Sequence, residues 1–469
     1  MLFNSFEYLF FFLPISFFLY FYFSHQHKET IAKIWLFSAS LFFYSWWNWI
    51  YLPLILTSAL FNYFVGTRLS KDGAGSAINK KGWLIIGLLG NLGLLTYFKY
   101  ADFFIESFNW ALDVHLGLPH VVLPLAISFF TFQQISFLVD SYKNEVRNYG
   151  IVNYLIFVTF FPQLIAGPIV HHREMMPQFD RPERRILNFD HVGIGMFLLS
   201  LGLFKKVVIA DYLAQIASPG FDEAVVVTFI ESWAISLSYT FQLYFDFSGY
   251  ADMAMGAAML FSIKLPFNFD SPYKAVNIRE FWKKWHMTLG RFFRNYVYIP
   301  LGGNQRTDTI TYCNLLTTFF LVGLWHGAGW NFVIWGLLHG AAMVAHRLWG
   351  KLNISLHKTL AWVLTFNFIN LTWVIFRAET WEDAWKILKA MMGMNEINLV
   401  YYEYFPDIGP LLFALLTIAL LALVLFPKNS NYYRDNLQLN KKTLLVYSIL
   451  YLTVFLNLSS TSEFLYFRF

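Results

Sequence analysis

The sequence predicts an all-α integral membrane protein, and three observations predict it. Hydrophobic residues make up 57% of the 469, charged residues only 13%, and apolar stretches long enough for a bilayer recur along the whole chain. A soluble globular protein carries about 25% charged residues, and a soluble fold of this length could not hide so much apolar surface. Aromatic residues reach 21%, with 53 Phe, and the formal net charge is only +5. These numbers exclude intrinsic disorder and charge-driven nucleic-acid binding. Cys313 is the single cysteine, which removes internal disulfides and any multi-cysteine zinc or iron–sulfur site.

The first apolar stretch, Tyr8 to Phe23, follows Glu7 instead of a basic segment and ends at Ser24-His25 without a small-residue cleavage pattern. It is expected to stay as a membrane helix and not to be removed as a signal peptide. Further windows fall near 34–49, 50–66, 83–98, 119–139, 193–209, 225–246, 311–324, 330–349, 360–376, 410–426 and 443–459, so about 11–12 spans are expected. Pro162, Gly167 and Pro168 interrupt the apolar run at 151–170. Backbone groups freed at that depth need partners from protein or a wet cavity, which predicts a broken or re-entrant helix. The 67–82 loop holds Arg68, Lys71, Lys80 and Lys81 against Asp72, whereas 99–118 holds Lys99 against Asp102, Glu106 and Asp113. The positive-inside rule then puts the first loop in the cytoplasm and the second outside. Counting by spans places the N-terminus outside and Lys143 and Arg147 inside. No internal repeat and no insert long enough for a soluble domain is visible, so a single polytopic domain over 1–469 is expected. The missing repeat counts against a transporter, many of which are built from paired repeats.

Ionisable groups within apolar sequence are costly and therefore functional candidates. The stretch Ile278–Pro300, IREFWKKWHMTLGRFFRNYVYIP, placed on one helix separates Phe281, Trp282, Trp285, Leu289, Phe292, Phe293 and Tyr296 from Lys283, Lys284, Arg291 and Arg294. That is the pattern of a helix lying in the interface, with His286 at the edge of the aromatic arc. The cations either anchor the helix to lipid or receive an anionic acyl donor. GLWHGAGW, residues 323–330, sets His326 among three glycines, which let a backbone or ligand approach closely. A neutral imidazole there can take a proton from a hydroxyl and return it to a leaving group, or it can simply bond a facing helix. His339 is open to the same two readings, and His346 reads as interfacial. In YTFQLYFDFSGYAD, residues 239–252, Asp246 and Asp252 either orient a histidine or hydroxyl or pair with a cation between helices. HExxH, GxSxG and P-loop patterns are absent.

The runs YTFQLYFDFSGYADMAMG, FNFDSPYKAVNIREFWKKWHMTLGRFFRNYVYIPLGGN and GLWHGAGWNFVIWGLLHG resemble the membrane-bound O-acyltransferase superfamily, and within it the group of alginate and peptidoglycan O-acetyltransferases. Upstream, LPLAISFFTFQQISFLVDSYK, FFPQLIAGPIV and LGLFKKVVIAD are similar to the same group in the same order, and the motif-bearing core runs over about 119–349. The resemblance implies a ring of helices around a tunnel joining the two sides. It implies that His326 is the catalytic histidine and His286 the second, cytosol-side one. Trp325, Asp246, Trp282, Lys283, Lys284, Arg291, Arg294 and His339 complete the candidate substrate-binding set, and no metal site is expected. Lys283-Lys284-Trp285-His286 stands where Arg-Arg-Trp-His or Asn-Arg-Trp-His is usual, which keeps charge and loses bidentate geometry.

The resemblance further implies a cytosolic thioester donor, acetyl-CoA, no permanently bound cofactor, and delivery through a bacterial inner membrane to an extracytoplasmic SGNH-type acetyltransferase partner. The chain ends EFLYFRF, and its 460–469 tail is similar to the Phe-x-Tyr-x-x-Phe segment proposed as an acyl relay in related systems. Tyr466 would then carry the acyl group as an aryl ester, between thioester and sugar ester in activation; otherwise the tail is an interfacial anchor. The alternatives are a D-alanyl transferase for teichoic acids, a proton-coupled transporter, and a scaffold for polysaccharide export. Within 263–312, Lys264, Lys274, Arg279, Lys283, Lys284, Arg291, Arg294 and Arg306 stand against Asp270, Glu280 and Asp308, so one basic belt beside His286 holds the whole chain's charge excess.

Overall fold

Helices follow the apolar windows, and prolines and polar caps decide where they stop. The computed structural model of the chain describes residues 1–70, 79–146, 149–181, 186–396, 409–458 and 464–465. A π-helical turn at Glu7–Phe12 runs into α1 (Leu13–His25), followed by α2 (Glu29–Ser45), α3 (Leu52–Ser70) and α4 (Lys80–Leu95). Asn79 caps α4, its side chain accepting the Gly82 amide at 2.7 Å. After α5 (Ala101–Leu112) comes α6 (Ile127–Tyr142). The predicted window at 119–139 is helical only from Ile127, because Pro124 and the left-handed Ala126 (φ 64°) precede it.

The interrupted segment is broken as expected, into α7 (Ile151–Thr159) and α8 (Phe161–Leu164), with α9 (His172–Phe179) beyond it. The freed groups find protein partners. The Phe161 amide donates to Ser40 Oγ at 3.2 Å, and the Gln163 side-chain amide donates to the Phe157 carbonyl at 2.8 Å. Then come α10 (Phe189–Leu203), a π-helical turn at Phe204–Ala210, α11 (Asp211–Asp222) and α12 (Phe229–Leu260). Two short helices, α13 (Ile278–Lys284) and α14 (Met287–Phe293), precede α15 (Asp308–His326), α16 (Trp330–Lys351), α17 (Lys358–Arg377) and α18 (Trp381–Met391). The chain closes with α19 (Pro410–Leu425), α20 (Ser430–Asn436) and α21 (Lys441–Asn457), and the described residues contain no strand.

Among the described residues, five helical stretches are long and apolar enough to cross a membrane, or six if α19 and α20, bent by 42°, make one span. The other predicted windows lie on helices that are shorter, such as α2 with 17 residues and α6 with 16, or more polar, such as α12, whose 32 residues include Glu231, Asp246 and Asp252. Phe18, Leu89, Leu411 and Leu415 are exposed, as lipid-facing side chains are. The protein is a multi-pass, all-α membrane protein.

The chain forms two compact units, one of residues 1–200, 250–266 and 438–447 and the other of 201–249, 267–437 and 448–469. In the first, α3, α4 and α6 share buried amides: Asn62 Nδ2 donates to Gln134 Oε1 and Asn91 Nδ2 to Asn62 Oδ1, both at 2.6 Å. Such bonds tie helices together where apolar surroundings offer no other partner. In the second, α12 and α17 are joined through Asn370, which accepts from Thr240 Oγ1 at 2.7 Å and donates to Ser236 Oγ at 3.0 Å.

Helices α15 and α16 cross closely, and glycine makes the crossing possible. A Cβ on Gly336 would stand 2.3 Å from the Phe319 carbonyl oxygen and 2.9 Å from Gly323 Cα; one on Gly323 would stand 2.3 Å from the Phe332 carbonyl oxygen. Of the three glycines in GLWHGAGW, Gly323 thus admits a backbone. Gly336→Leu should force the two helices apart, cost about 1–3 kcal/mol or more, and lower the unfolding temperature in detergent. Gly350→Leu, at a position on the same helix with open space around it, should leave that temperature unchanged.

Candidate active site

His286 lies at a break, not within a continuous helix. The single amphipathic helix expected over 278–300 is instead α13 and α14, with Trp285 extended and His286 left-handed at φ 44°. A second strand of chain causes the break. The Met287 amide donates to the Asn268 carbonyl and the Asp270 amide to the Lys284 carbonyl, each at 2.9 Å. Asn268 Oδ1 accepts from Thr288 Oγ1 at 2.9 Å and from the Thr288 amide at 3.4 Å, so it is also the acceptor in its 3.0 Å contact with His286 Nδ1. The His286 proton therefore sits on Nδ1, and Nε2 is the basic nitrogen. A left-handed non-glycine residue is uncommon and clusters at functional sites. The ring is fully buried, edge-on to Phe247 (centroids 4.8 Å) and 5.8 Å from Trp325.

His326 ends α15 and is 4% exposed. Its ring is walled by Trp325 (4.8 Å), Trp335 of α16 (5.1 Å) and Phe376 of α17 (5.2 Å). Gly327 is required behind it, because a Cβ there would meet the Phe332 ring at 2.1 Å, and Phe332 in turn packs edge-on against Phe376. The two candidate histidines thus share one indole, Trp325, whose ring touches both. A desolvated aromatic setting strengthens any charge interaction made inside it.

His339 is saturated by protein. Its Nδ1 accepts the Trp282 indole N–H at 3.2 Å, so Nε2 carries the proton and donates to Thr372 Oγ1 at 3.1 Å, which donates to the Ile369 carbonyl at 2.9 Å. Fully buried, His339 holds Trp282 in place. Of the four cations, Lys283 and Arg294 are exposed and Arg291 is half-buried. Lys284 is engaged by Glu280 at 2.8 Å. Burial pushes the Glu280 carboxyl up, but hydrogen bonds from Lys284 and the Val276 amide outweigh it and hold it below the usual carboxylate range. That pair persists at neutral pH and is lost only as the pH falls through the lowered value. The helical arcs expected for these cations do not survive the break, which resets their direction after Lys284.

Asp246 meets a partner that the motif reading did not name. Lys206 Nζ lies 2.7 Å from Asp246 Oδ1 and 2.8 Å from Asp211 Oδ1, with the Lys206 and Asp246 side chains each 2% exposed. The signal for Lys206 was present in LGLFKKVVIAD, a lysine inside an apolar run. Asp252, in the first unit, is buried. Tyr466 lies outside the described residues, which at this end include Phe464 and Leu465.

Among the described residues one group has ligand atoms close enough to hold a metal ion: Asp140, His171 and His172, in the first unit. His171 Nε2 and His172 Nε2 stand 2.7 and 2.9 Å from Asp140 Oδ2. The donor set suits zinc, yet the His171 ring is oriented for hydrogen bonding. Its Nδ1 accepts the Arg173 amide at 3.3 Å, which puts the proton on Nε2, facing Asp140. A metal on that Nε2 would leave Nδ1–H against the Arg173 N–H, two donors head to head.

The profile of the MBOAT, membrane-bound O-acyltransferase, family matches residues 88–378, well over half of the chain. The chain belongs to the membrane-bound O-acyltransferase family. This membrane-bound O-acyltransferase is 49% identical over 431 residues to a peptidoglycan O-acetyltransferase of Helicobacter pylori, covering 86% of this chain and 81% of the relative. It is 38% identical over 409 residues to a probable alginate O-acetylase, AlgI, of Azotobacter vinelandii, covering 85% and 79%. A teichoic acid D-alanyltransferase of Streptococcus thermophilus is 24% identical over 292 residues, covering 56% and 69%.

His339→Leu should strand the Trp282 and Thr372 polar groups and cost roughly 1–3 kcal/mol of stability. In thermal unfolding of this O-acyltransferase the midpoint should fall, while activity per folded molecule changes much less than it does for His326→Ala.

Proposed function

We propose that the protein moves an acetyl group from a cytosolic thioester, acetyl-CoA, across a bacterial inner membrane for O-acetylation of a cell-envelope polysaccharide. The likeness to the Helicobacter pylori peptidoglycan O-acetyltransferase, which extends over 86% of the chain, carries this reading. The likeness to a teichoic acid D-alanyltransferase covers 56% at 24% identity and supports D-alanyl transfer less well. The buried pair of histidines on either side of Trp325 gives the reading its chemistry.

In this mechanism His326 is the general base. It takes the proton of an attacking hydroxyl as that oxygen adds to the thioester carbonyl, and returns it to the sulfur as the carbon–sulfur bond breaks, so that free thiol leaves. Tyr466 is the attacking hydroxyl of a relay: its phenol becomes an aryl ester, whose acetyl group passes to a hydroxyl of an extracytoplasmic SGNH-type transferase as that hydroxyl's proton returns to the phenol. His286, basic at Nε2, serves the cytosolic side. Lys283, Arg291 and Arg294 attract the anionic part of the donor, and Trp282 and Trp325 wall the acyl path.

His326→Ala should lower acetate released by alkali from the purified envelope polymer by about 10²-fold or more at an unchanged unfolding temperature; normal acetylation would sink the assignment. Tyr466→Phe should abolish transfer and remove an acetyl adduct that mass spectrometry finds on the C-terminal peptide of the unaltered protein. Full activity in that variant leaves the tail as an anchor.

A further inference from the structure

The C-terminal segment ends, among the described residues, on the buried ion cluster. The Leu465 amide donates to Asp246 Oδ2 at 3.1 Å, and the ring of its neighbour Phe464, fully buried, lies 5.1 Å from Lys206 Nζ. The cluster's composition accounts for the contact. One lysine faces two carboxylates, Asp211 and Asp246, and cannot meet all four of their oxygens. Lys206 occupies Asp246 Oδ1, and Oδ2 needs a donor of its own, since a buried carboxylate oxygen without one is costly. A main-chain N–H supplies it without adding charge. The cation, meanwhile, is offered the face of a benzene ring, the favourable side of its quadrupole.

The scaffold is built to bring the pair together. Lys206 sits on the π-helical turn Phe204–Ala210, a local irregularity common at functional sites. Gly249, one turn beyond Asp246 on α12, permits a close crossing: a Cβ there would stand 2.8 Å from the Gly202 carbonyl oxygen and 3.1 Å from Lys205 Cβ. The residue after Asp246 is Phe247, the ring against which His286 rests.

We infer that the Lys206–Asp246 pair is a dock for the chain's own C-terminal segment, recognising the Leu465 amide and the Phe464 ring. Asp246 and Lys206 are positioning residues: they hold the main chain at Leu465, the residue before Tyr466 in the sequence. The dock stands without the relay; its consequence for transfer rests on the relay reading proposed above. Because Asp246 holds the amide of Leu465, whose side chain is buried, the dock survives a small replacement at 465 that keeps the N–H and is lost with the N–H itself.

Maleimide labelling of the full-length protein in native membranes tests this. In a Cys313→Ser background, Leu465→Cys keeps the amide and reports exposure of the segment. Labelling should be slow in that parent and with Asp246→Asn, which retains an acceptor oxygen. It should be about tenfold or more faster in Lys206→Met with Asp246→Leu, made together with Asp211→Asn so that the paired replacement leaves no unpartnered charge in the cluster. Leu465→Pro, read through Phe464→Cys and compared with a Phe464→Cys parent that already lacks the ring, deletes the donor and should likewise speed labelling. Unchanged rates in both the paired replacement and the proline variant overturn the dock. Faster labelling with an unaltered unfolding temperature supports it. If labelling rises while envelope O-acetylation stays normal, the dock holds and the relay reading fails.

Discussion

Where helices α15 and α16 cross, their backbones touch, and the second unit's arrangement rests on that contact. Lipid chains are as apolar as the side chains they would compete with, so no hydrophobic force drives helices together within a bilayer; close packing has to do it. Gly323 and Gly336 remove the side chains that would hold the axes apart. The result is that Trp335, on α16, reaches the ring of His326 at the end of α15, and the same helix presents His339 to Trp282. A histidine at a helix end in a membrane protein would ordinarily meet lipid or water. Here three aromatic rings meet it instead, and its environment is decided by a glycine contact one turn away.

Around that crossing the chain treats its buried polar groups in two different ways. Some are closed off: both nitrogens of His339 are engaged, and Asn370 is shared between Ser236 and Thr240. Others are held with one side directed. His286 is pinned through Nδ1 by Asn268, in a left-handed backbone conformation that the neighbouring strand of chain imposes. Closed groups contribute to stability, whereas a hydrogen bond at one ring nitrogen fixes which of the two is basic. The Lys206–Asp211–Asp246 cluster belongs between the two, because its surplus carboxylate oxygen is met by the backbone of the chain terminus.

Much of this was legible before any coordinates. Composition alone places the chain in the membrane, the Pro162-Gly167-Pro168 interruption marks the broken segment, and glycines flanking His326 mark a close approach. The ordered motifs resemble the family to which the chain belongs. What helical periodicity misjudged is the stretch from Ile278 to Pro300: its aromatic and basic arcs fit one interfacial helix, yet the captured Met287 amide and His286 ring break it into two. Nor did the pattern separate His339 from His326, which differ in their partners and not in their local sequence.

Local sequence therefore determined what depends on neighbours a few residues apart: helix formation, helix interruption, apolar surface and the residue types available for proton transfer. Tertiary structure alone decided which of those residues meet. Asn268 reaches His286 across 18 positions, and the Leu465 amide reaches Asp246 across 219. Contacts of that kind leave no periodic trace, because they are selected by the packing of whole helices and by the cost of leaving a buried polar group unanswered.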